Sequence, residues 1–574
     1  MNKFQPANNL SPGCHGQGIA TRLAILLSLC IFSAALHVRA AEPYQDRFVW
    51  VYGWGLGSDG EVTEISRVLK TAGEHNLNGA VVSFNLDTLC KQPADHLRRL
   101  DEIKKVAEEN HVELIPSVFS IGYGGGVLSH DRNLAEGLSV QDAPFIVHSG
   151  QARLAASNSN LLVNGGFEDF NGDKIKSFDL CDQPGEVSFA DTQIKHSGKS
   201  SLRLEHFTTN PHGHGRVMQT VKVQPHRCYR ITLWVKSDGL QPSSAFRIMP
   251  LAKDQDLAPR EFHLPASTDW RKLSMLFNSL DNERIGIYAG LWGGKSGKIW
   301  LDDWSVEEVG PVNPLRRPGT PVTVRNEDGA ITYSEGKDYA PLFDPQLNPY
   351  RDDQEALPLK VLSGGRIQDG QRLSVSWYHS MIIHDSQVTV CMGEPAVYEI
   401  LDHEAKLLAE RLHPRRVLLN MDEIRMGGTC AACRGQNMAE LLGRCITREA
   451  DSLRKYSPGA RVYVWSDMLD PNHNAKNHYY LVNGDYTGSW KYVPKDLVMA
   501  IWGGEPREKS LRFFSNEGFE SVVACYYDAD NLNDVKGWLQ AARPLPKVRG
   551  FMYTPWEKKY ALLPAFGDLL REKP

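Results

Sequence analysis

The sequence lacks the long apolar runs, basic patches and repeats that mark several large classes of protein. After residue 36 no segment approaches the length needed to span a bilayer. The 574 residues carry a formal charge of −5 with no basic patch, so nucleic acid and anionic membranes are poor partners. The composition, 41% hydrophobic and 23% charged, is that of an ordinary globular protein with several domains, which excludes a disordered, collagen-like or coiled-coil protein.

The first forty residues have the pattern of a secretory signal. The stretch before residue 23 carries positive charge and no acid, and an apolar core follows from Leu23 to Leu36. Small residues then precede a predicted cleavage after Ala40 or Ala41. We expect residues 1–40 to be a signal peptide and the protein to be periplasmic or secreted. The alternative is an N-terminal anchor.

The sequence has few cysteines, and closely spaced Cys or His pairs of the kind that bind zinc are rarer still. The motif Cys430-Ala-Ala-Cys433 is the only CxxC, and no second CxxC or HxxxH accompanies it. A zinc site needs further ligands of that kind at suitable spacing. We therefore predict a disulfide that tightens this loop, or buried thiols, and no metal site.

Two hydrophobic patterns alternate along part of the chain. Between Phe48 and Tyr123, apolar runs rich in β-branched and aromatic residues alternate with amphipathic helical segments. The pattern then breaks and resumes near Pro414. Three strands precede the break and five follow it, which predicts an α/β fold: a TIM (β/α)8 barrel with an all-β insertion after its third strand.

The same patterns give predicted domain boundaries. Short alternating strands, punctuated by Gly, Pro, Asn and Asp, predict a sandwich inside the insertion. A further strand candidate, residues 372–379, is assigned to the excursion. The predicted order is a first part of the barrel at 45–150, a jelly-roll module at 160–310, a linker or excursion packing on the barrel at 311–413, and the second part of the barrel at 414–574.

Carboxylates and aromatic rings follow almost every later strand, where the active sites of TIM barrels lie. These positions hold Asp422 and Glu423 after the fourth strand, Trp465 and Asp467 after the fifth, Trp502 after the sixth, Tyr527 and Asp528 after the seventh, and Trp556 after the eighth. Sugars have apolar faces for rings to stack on and hydroxyl edges for carboxylates to bind. Cleavage of a glycosidic bond also needs one protonated and one ionised carboxyl group. The pattern predicts a carbohydrate substrate and a glycosidase.

The adjacent pair Asp422-Glu423 carries most of this prediction. Neighbours on a regular strand point to opposite faces, but both can face a pocket where the chain turns. Two carboxylates held close together raise the pKa of one of them. The alternative is a helix cap or a surface pair. Arg425 is a candidate for binding an acidic sugar, or a partner for a carboxylate in its loop.

This set of residues resembles the β-N-acetylhexosaminidases of glycoside hydrolase family 20. That family has an Asp-Glu pair after strand four, Trp residues after strands five, six and eight, and a Tyr near an Asp after strand seven. The matching residues here are Asp422, Glu423, Trp465, Trp502, Tyr527, Asp528 and Trp556. The resemblance covers the two barrel segments and rests on order and position.

The resemblance implies a role for each matched residue. Glu423 would be the general acid, Asp422 would orient a 2-acetamido group that attacks the anomeric carbon, and Tyr527 would bind the acetamido oxygen. Two features depart from the family: Leu418-Leu-Asn-Met421 replaces His-x-Gly-Gly, and the first strand has Trp50, Tyr52 and Trp54 in place of a sugar-binding Arg. Recognition of the sugar must therefore differ.

Two other functions remain open from the sequence. Glu423 could serve as acid/base with Asp528 as a covalent nucleophile, the arrangement of many retaining glycosidases. A barrel that kept its aromatic pocket but lost turnover would be a silent carbohydrate-binding protein.

Smaller predictions concern residues around the candidate pocket. Asp470 and His473 bind sugar hydroxyls or a metal, or are turn residues. His379 and His384 are more typical of structural histidines. The glycine-rich run at 122–126 lacks the Lys and Ser/Thr of a phosphate-binding loop and is interpreted as a flexible loop.

The inserted segment has a resemblance of its own. It is similar to jelly-roll carbohydrate-binding modules in its Asn-Gly-Gly-Phe-Glu168 stretch and its Leu301-Asp-Asp303 strand. This resemblance implies a structural calcium ion in the module. Five tryptophans are offered either as stacking surfaces or as core: Trp234, Trp270, Trp292, Trp300 and Trp304.

Overall fold

The computed structural model describes residues 44–155, 159–253, 255–503 and 507–571. The predicted signal peptide, residues 1–40, lies outside the described residues and stays a prediction. Within the described ranges no helix combines the length and apolar character needed to cross a membrane.

Eight parallel strands close into a barrel, as the sequence pattern predicts. They are β1 (Asp46–Val51), β2 (Gly79–Val82), β3 (Glu113–Val118), β4 (Arg416–Leu419), β5 (Arg461–Trp465), β6 (Val498–Ile501), β7 (Glu520–Cys525) and β8 (Val548–Tyr553). Each strand pairs with the next, and β8 closes the ring by pairing with β1, with Val49 opposite Tyr553.

Helices connect most of the barrel strands. They are α1 (Asp59–Glu74), α2 (Ala94–Glu109), α3 (Gly125–His130), α4 (Pro395–Leu412), α5 (Met438–Tyr456), α6 (Arg507–Asn516), α7 (Asn533–Ala542) and α8 (Leu563–Leu569). Helix α1 begins where the Ser58 hydroxyl accepts from the Glu61 N–H, and it buries Val62, Ile65 and Leu69 on one face. This periodicity is the signal that made the helix predictable.

The barrel interior has a small core of its own. Strand residues alternate between this interior and the outer layer that packs on the helices. Phe48, Tyr463 and Met552 fill the interior, and Trp50 and Trp465 lie above them at the C-terminal ends of their strands. These two indoles form the floor of the opening in which the candidate site lies.

Two antiparallel sheets follow the third barrel strand in sequence. One contains Ser188–Asp191, Ser201–Glu205, Cys228–Gln241, Thr268–Asn278 and Ser296–Glu308. The other contains Leu180–Cys181, Gly215–Lys222, Phe246–Ala252, Gln255–Asp256, Arg260–Glu261 and Arg284–Leu291. Buried side chains of both sheets, such as Ile231 and Val217, belong to one hydrophobic core.

A third antiparallel sheet changes the predicted boundaries. It contains Leu138–His148, Gln151–Leu154, Thr323–Asn326, Leu359–Lys360 and Arg372–His379. The strand at 372–379 therefore forms within the excursion, as predicted. The strand Leu138–His148 lies within the segment assigned to the barrel at 45–150, but it pairs with Arg372–His379 and belongs to this sheet. The predicted linker at 311–413 supplies three of the strands and helix α4, which packs against the barrel.

Candidate active site

A cavity of about 570 Å³ opens at the C-terminal ends of the barrel strands. Residues at or after the ends of all eight strands line it, as expected for a barrel site. The lining residues are Trp50, Tyr52, Ser83, Ser120, Tyr123, Asn420, Asp422, Glu423, Trp465, Trp502, Tyr527 and Trp556. The structure thus brings together six of the nine predicted site residues: Asp422, Glu423, Trp465, Trp502, Tyr527 and Trp556.

Aromatic rings form both the floor and the rim of this cavity. Trp50 is only 5% exposed and meets Trp465 edge-to-face, with ring centroids 5.6 Å apart. Trp556 is 40% exposed at the rim, 5.8 Å from Trp50 and 4.9 Å from Tyr52. A ligand with flat apolar faces can therefore stack at more than one depth.

Glu423 is held by two charge-assisted contacts. The Tyr123 hydroxyl donates to Glu423 Oε2 at 2.5 Å, and Arg425 Nη2 lies 2.7 Å from Oε1. Both oxygens of the Glu423 side chain therefore have a hydrogen-bond or ion-pair partner.

The backbone at Glu423 is fixed in an unusual conformation. Its φ of +49° lies in the left-handed region, which costs a non-glycine residue about 1 kcal/mol or more. Two contacts offset this cost: the Glu423 N–H donates to Asp467 Oδ2 at 2.9 Å, and Gln387 Nε2 donates to the Glu423 carbonyl at 2.6 Å. The turn directs the carboxylates of Asp422 and Glu423 into the same cavity.

Asp422 is the carboxyl group whose proton is retained. Burial, with the nearby charges of Asp467 and Glu423, raises the pKa of Asp422 to about 8. A pKa near 8 keeps Asp422 a carboxylic acid at neutral pH. One raised pKa is what the adjacency of the two groups leads us to expect, and it falls on Asp422, whereas the family resemblance makes Glu423 the acid.

Asp467 supports the site from below and does not line the cavity. It is fully buried and accepts three hydrogen bonds, from the Glu423 N–H, Asn474 Nδ2 and Trp502 Nε1. Burial raises its pKa. Asp467 therefore connects the turn that carries Asp422 and Glu423 to Trp502 in the wall of the cavity.

Two other predicted site residues also lie off the cavity surface. Arg425 is buried. Its guanidinium is paired with the Glu423 carboxylate and donates to Gln387 Oε1 at 2.7 Å, so both contacts engage it away from the cavity surface. Asp528 Oδ2 accepts from the Trp556 N–H at 2.7 Å and the Glu557 N–H at 3.2 Å. Through this oxygen Asp528 shapes the loop that carries Trp556.

Tyr527 lines the cavity with its hydroxyl already engaged. The hydroxyl donates to the Ala524 carbonyl at 2.9 Å and accepts from the Gly503 N–H at 3.4 Å. Binding an acetamido oxygen through this group would require the bond to Ala524 to break.

The glycine-rich run after β3 packs against the acid-bearing turn. A Cβ built on Gly122 would lie 2.3 Å from the Asp422 carbonyl oxygen, so only glycine permits this close approach. The run also positions Tyr123, which sequence reasoning did not single out. Its place at the exit of a barrel strand was the available signal.

The structure also shows the contacts of four further candidate residues: Asp470, His473, His379 and His384. Asp470 is buried and accepts from the Asn472 N–H, as a turn residue does. His473 packs edge-to-face on Trp502 at 4.6 Å. His379 is buried with Asn278 Nδ2 at 3.0 Å, which confirms it as a structural histidine. His384 contacts Tyr480 edge-to-face at 6.1 Å, outside the cavity lining.

The CxxC motif has more neighbours than the sequence search found. Cys430 and Cys433 are free, buried thiols, as one of the two predictions stated. Two side chains outside the motif, Cys391 and Glu136, lie beside them in the fold. Both partners are far away in sequence, and neither belongs to a recognisable ligand motif.

The tryptophans of the two-sheet region divide into two groups. Trp300 and Trp304 are buried core residues, whereas Trp234, Trp270 and Trp292 are partly exposed. His196 stacks on Trp234 with ring centroids 3.8 Å apart. The calcium ion implied for this region stays a prediction.

Comparisons with known proteins identify one part of the chain. Residues 159–288 match the family described as a carbohydrate binding domain. No curated protein matches. Because the match spans less than half of the chain, it assigns that region alone.

Solved structures give only weak likenesses. A rhamnosidase from Novosphingobium sp. PP1Y is 11% identical, with 89% of this chain and 55% of that chain covered and a TM-score of 0.31. A family 20 exo-β-N-acetylglucosaminidase from Vibrio harveyi is 17% identical, with 34% of each chain covered and a TM-score of 0.26. A xylan-binding domain from Paenibacillus barcinonensis is 16% identical, with 28% of this chain and 99% of that chain covered and a TM-score of 0.19. At these scores none of the three supports an activity here.

Proposed function

We propose that the protein is a glycoside hydrolase that acts on oligo- or polysaccharides and carries a jelly-roll carbohydrate-binding module inserted in its TIM-type barrel. The observation that carries this proposal is the carboxyl pair Asp422 and Glu423 in a cavity walled by four tryptophans. The match of residues 159–288 to a carbohydrate binding domain supports a sugar ligand independently. The predicted signal peptide would place the enzyme outside the cytoplasm.

Asp422 and Glu423 would have different roles in the cleavage of the glycosidic bond. Asp422, protonated at neutral pH, would donate its proton to the departing glycosidic oxygen. A water molecule would attack the anomeric carbon as the glycosidic bond breaks, and Glu423, held by Tyr123 and Arg425, would take up the proton of that water. The tryptophans would stack on the sugar.

A hexosaminidase-like mechanism is the second candidate, and the position of Tyr527 in the cavity lining favours it. Here Glu423 would be the acid, while Asp422 would orient a 2-acetamido group that acts as the nucleophile. This version requires a proton on Glu423 in the complex and a rearranged Tyr527 hydroxyl. It also requires every substrate to carry a 2-acetamido group.

Sugar release from a panel of glycans and aryl glycosides tests the activity itself. The panel pairs 2-acetamido with 2-hydroxy sugars, so release from a 2-hydroxy glycoside would exclude substrate assistance. No release from any member, with glycan binding intact by calorimetry, would replace the proposal with a silent carbohydrate-binding protein.

Leaving-group dependence then assigns the acid. A variant that lacks the proton donor keeps activity on aryl glycosides with an acidic phenol, because that leaving group needs no proton. We expect this behaviour for Asp422→Asn, and loss on all substrates for Glu423→Gln. The reverse pattern would give the acid role to Glu423. Asp528→Asn is the matched control, and a total loss there would restore Asp528 as nucleophile.

A further inference from the structure

Four buried side chains from distant parts of the chain converge outside the cavity. Cys391 Sγ lies 3.4 Å from Cys430 Sγ and 3.2 Å from Cys433 Sγ. Glu136 Oε2 lies 3.6 Å from Cys430 Sγ and 3.5 Å from Cys433 Sγ. The four ligand atoms all lie within 4.8 Å of one another, and all four residues are buried.

We propose that Glu136, Cys391, Cys430 and Cys433 form a structural zinc site. Zinc is bound tetrahedrally by four protein ligands in structural sites, three cysteines with one histidine are a typical set, and a glutamate oxygen is also a zinc ligand. Three soft sulfur ligands favour zinc over calcium or magnesium. The proposal does not depend on the glycosidase assignment.

The carboxylate of Glu136 is oriented in the way that a metal ligand is. Its Oε1 accepts from the Thr429 N–H, the Thr429 hydroxyl and the Cys430 N–H, each at 2.9 Å. These three donors leave Oε2 directed at the thiols. Hydrogen bonds that fix the non-ligating atom are the usual second layer around a protein-bound metal.

Without a metal, this arrangement is hard to account for. A disulfide would use two of the three sulfurs and leave the third thiol buried against a carboxylate. A buried carboxylate is stabilised by a paired cation, and the nearest candidate, Arg317, is shared. Arg317 interacts electrostatically with Cys391 and Glu136, but its Nη1 is 2.5 Å from Glu394 Oε1 and its Nη2 donates to the Ala135 carbonyl.

Charge and protons balance with zinc bound. The three thiols lose their protons to solvent as they bind, so the site holds three thiolates, one carboxylate and Zn²⁺. The net charge of −2 is partly offset by the guanidinium of Arg317. No oxidant or reductant is needed.

Bound zinc would connect three segments: the one after β3, the one before α4 and the one before α5. Glu136 follows β3 by way of the run that holds Tyr123, Cys391 precedes α4, and the CxxC lies between the acid-bearing turn and α5. The Glu136 N–H also donates to the Thr389 carbonyl at 2.7 Å. With all four positions occupied by protein, the zinc is closed to substrate and acts on the fold.

Metal analysis of the purified full chain tests the proposal. We expect one zinc per chain by elemental mass spectrometry, and loss of that zinc in Cys433→Ser. Cys525→Ser is the matched control, since Cys525 is a buried thiol in β7 outside the cluster and should leave the zinc in place. Zinc retained by Cys433→Ser, or lost equally from the control, would overturn the site.

Three measurements on the wild type keep the test independent of variant folding. Titration with an organomercurial, read by a chromophoric chelator, should release one zinc as three thiols react. Replacement of zinc by cobalt should give the strong visible bands of a tetrahedral cobalt thiolate. Alkylation under denaturing conditions with chelator and no reductant should modify every thiol. A pair that resists alkylation would establish a disulfide and refute the proposal, and fully reactive thiols with no metal bound would refute it as well.

Discussion

Replacing Asp422 with asparagine should make the protein more stable while it abolishes the proposed acid. Burial and two neighbouring carboxylates raise the pKa of Asp422 to about 8 in the folded chain. An unfolded aspartate has a pKa of about 3.9. At neutral pH folding therefore has to protonate this group, which lowers the free energy of unfolding. Asparagine is neutral in both states and escapes that cost.

The size of the gain follows from the separation of the two pKa values. Each pKa unit corresponds to about 1.4 kcal/mol, and pH 7 lies about three units above the unfolded pKa, so the upper limit at pH 7 is about 4 kcal/mol. Because the cavity is open to solvent, we expect about half of this, roughly 2 kcal/mol. The gain should be near zero at pH 4, should rise as the pH increases toward 8, and should level off where Asp422 ionises in both states.

Asp467→Asn provides the matched control with the opposite sign. Asp467 also has a pKa raised by burial, but both of its oxygens accept hydrogen bonds. Asparagine offers one acceptor, so at least one buried donor would lose its partner at a cost of about 1–3 kcal/mol. Two neutralising substitutions in one carboxylate cluster should therefore shift stability in opposite directions.

Urea unfolding followed by tryptophan fluorescence at several pH values measures both variants. A rising difference between Asp422→Asn and the wild type from pH 4 to pH 8 is the expected result. A variant that is destabilised at neutral pH, or a gain that does not depend on pH, would refute the assignment of the retained proton to Asp422. The measurement needs no knowledge of the substrate.

Three further predictions concern activity. The kcat/KM should fall as pH rises through about 8, since Asp422 then loses the proton it donates; a profile flat to higher pH would point to another acid. Tyr123→Phe removes the hydroxyl that donates to Glu423 and should lower kcat by about tenfold to a hundredfold with the fold unchanged by circular dichroism; unaltered kcat would assign that hydroxyl no part in turnover. Gly122→Ala places a methyl group against the Asp422 carbonyl and should displace the turn, lowering both kcat and the unfolding temperature. Gly125→Ala should leave both unchanged, because no atom among the described residues lies within 4 Å of the added methyl group. Equal behaviour of the two glycine variants would contradict the close packing.

The barrel was predictable because its signals are local. Apolar strands and amphipathic helices show their period within ten to twenty residues, and all eight barrel strands were located that way. The third sheet is different, because a local pattern predicts its strand at Arg372–His379 but does not show which strands pair with it. Its strand at Leu138–His148 pairs with Arg372–His379, and the spacing between them hides the partnership.

Part of the candidate site was predictable for a different reason. The order of strand exits tells which residues reach the C-terminal end of the barrel, and it gave Asp422, Glu423 and the tryptophans. It does not tell where a side chain points once the strand has ended. Asp528 has a φ of +53° that turns it toward the backbone N–H groups of the next loop. Arg425 likewise turns back to Glu423.

The place where the long insertion leaves and rejoins the barrel bears on how the chain folds. Ala135 and Val390 form an antiparallel bridge, so the ends of an excursion of roughly 250 residues meet side by side. If the inserted sheets fold first, they hold the ends of β3 and β4 close together. Most of the conformational entropy cost of pairing these two strands is then met before the barrel closes. During synthesis the inserted sheets leave the ribosome before β4 to β8 do. The folded excursion then positions the second half of the barrel for pairing with the first. Replacing it by a tight linker between Ala135 and Val390 should speed barrel closure only if the inserted sheets normally fold after the barrel.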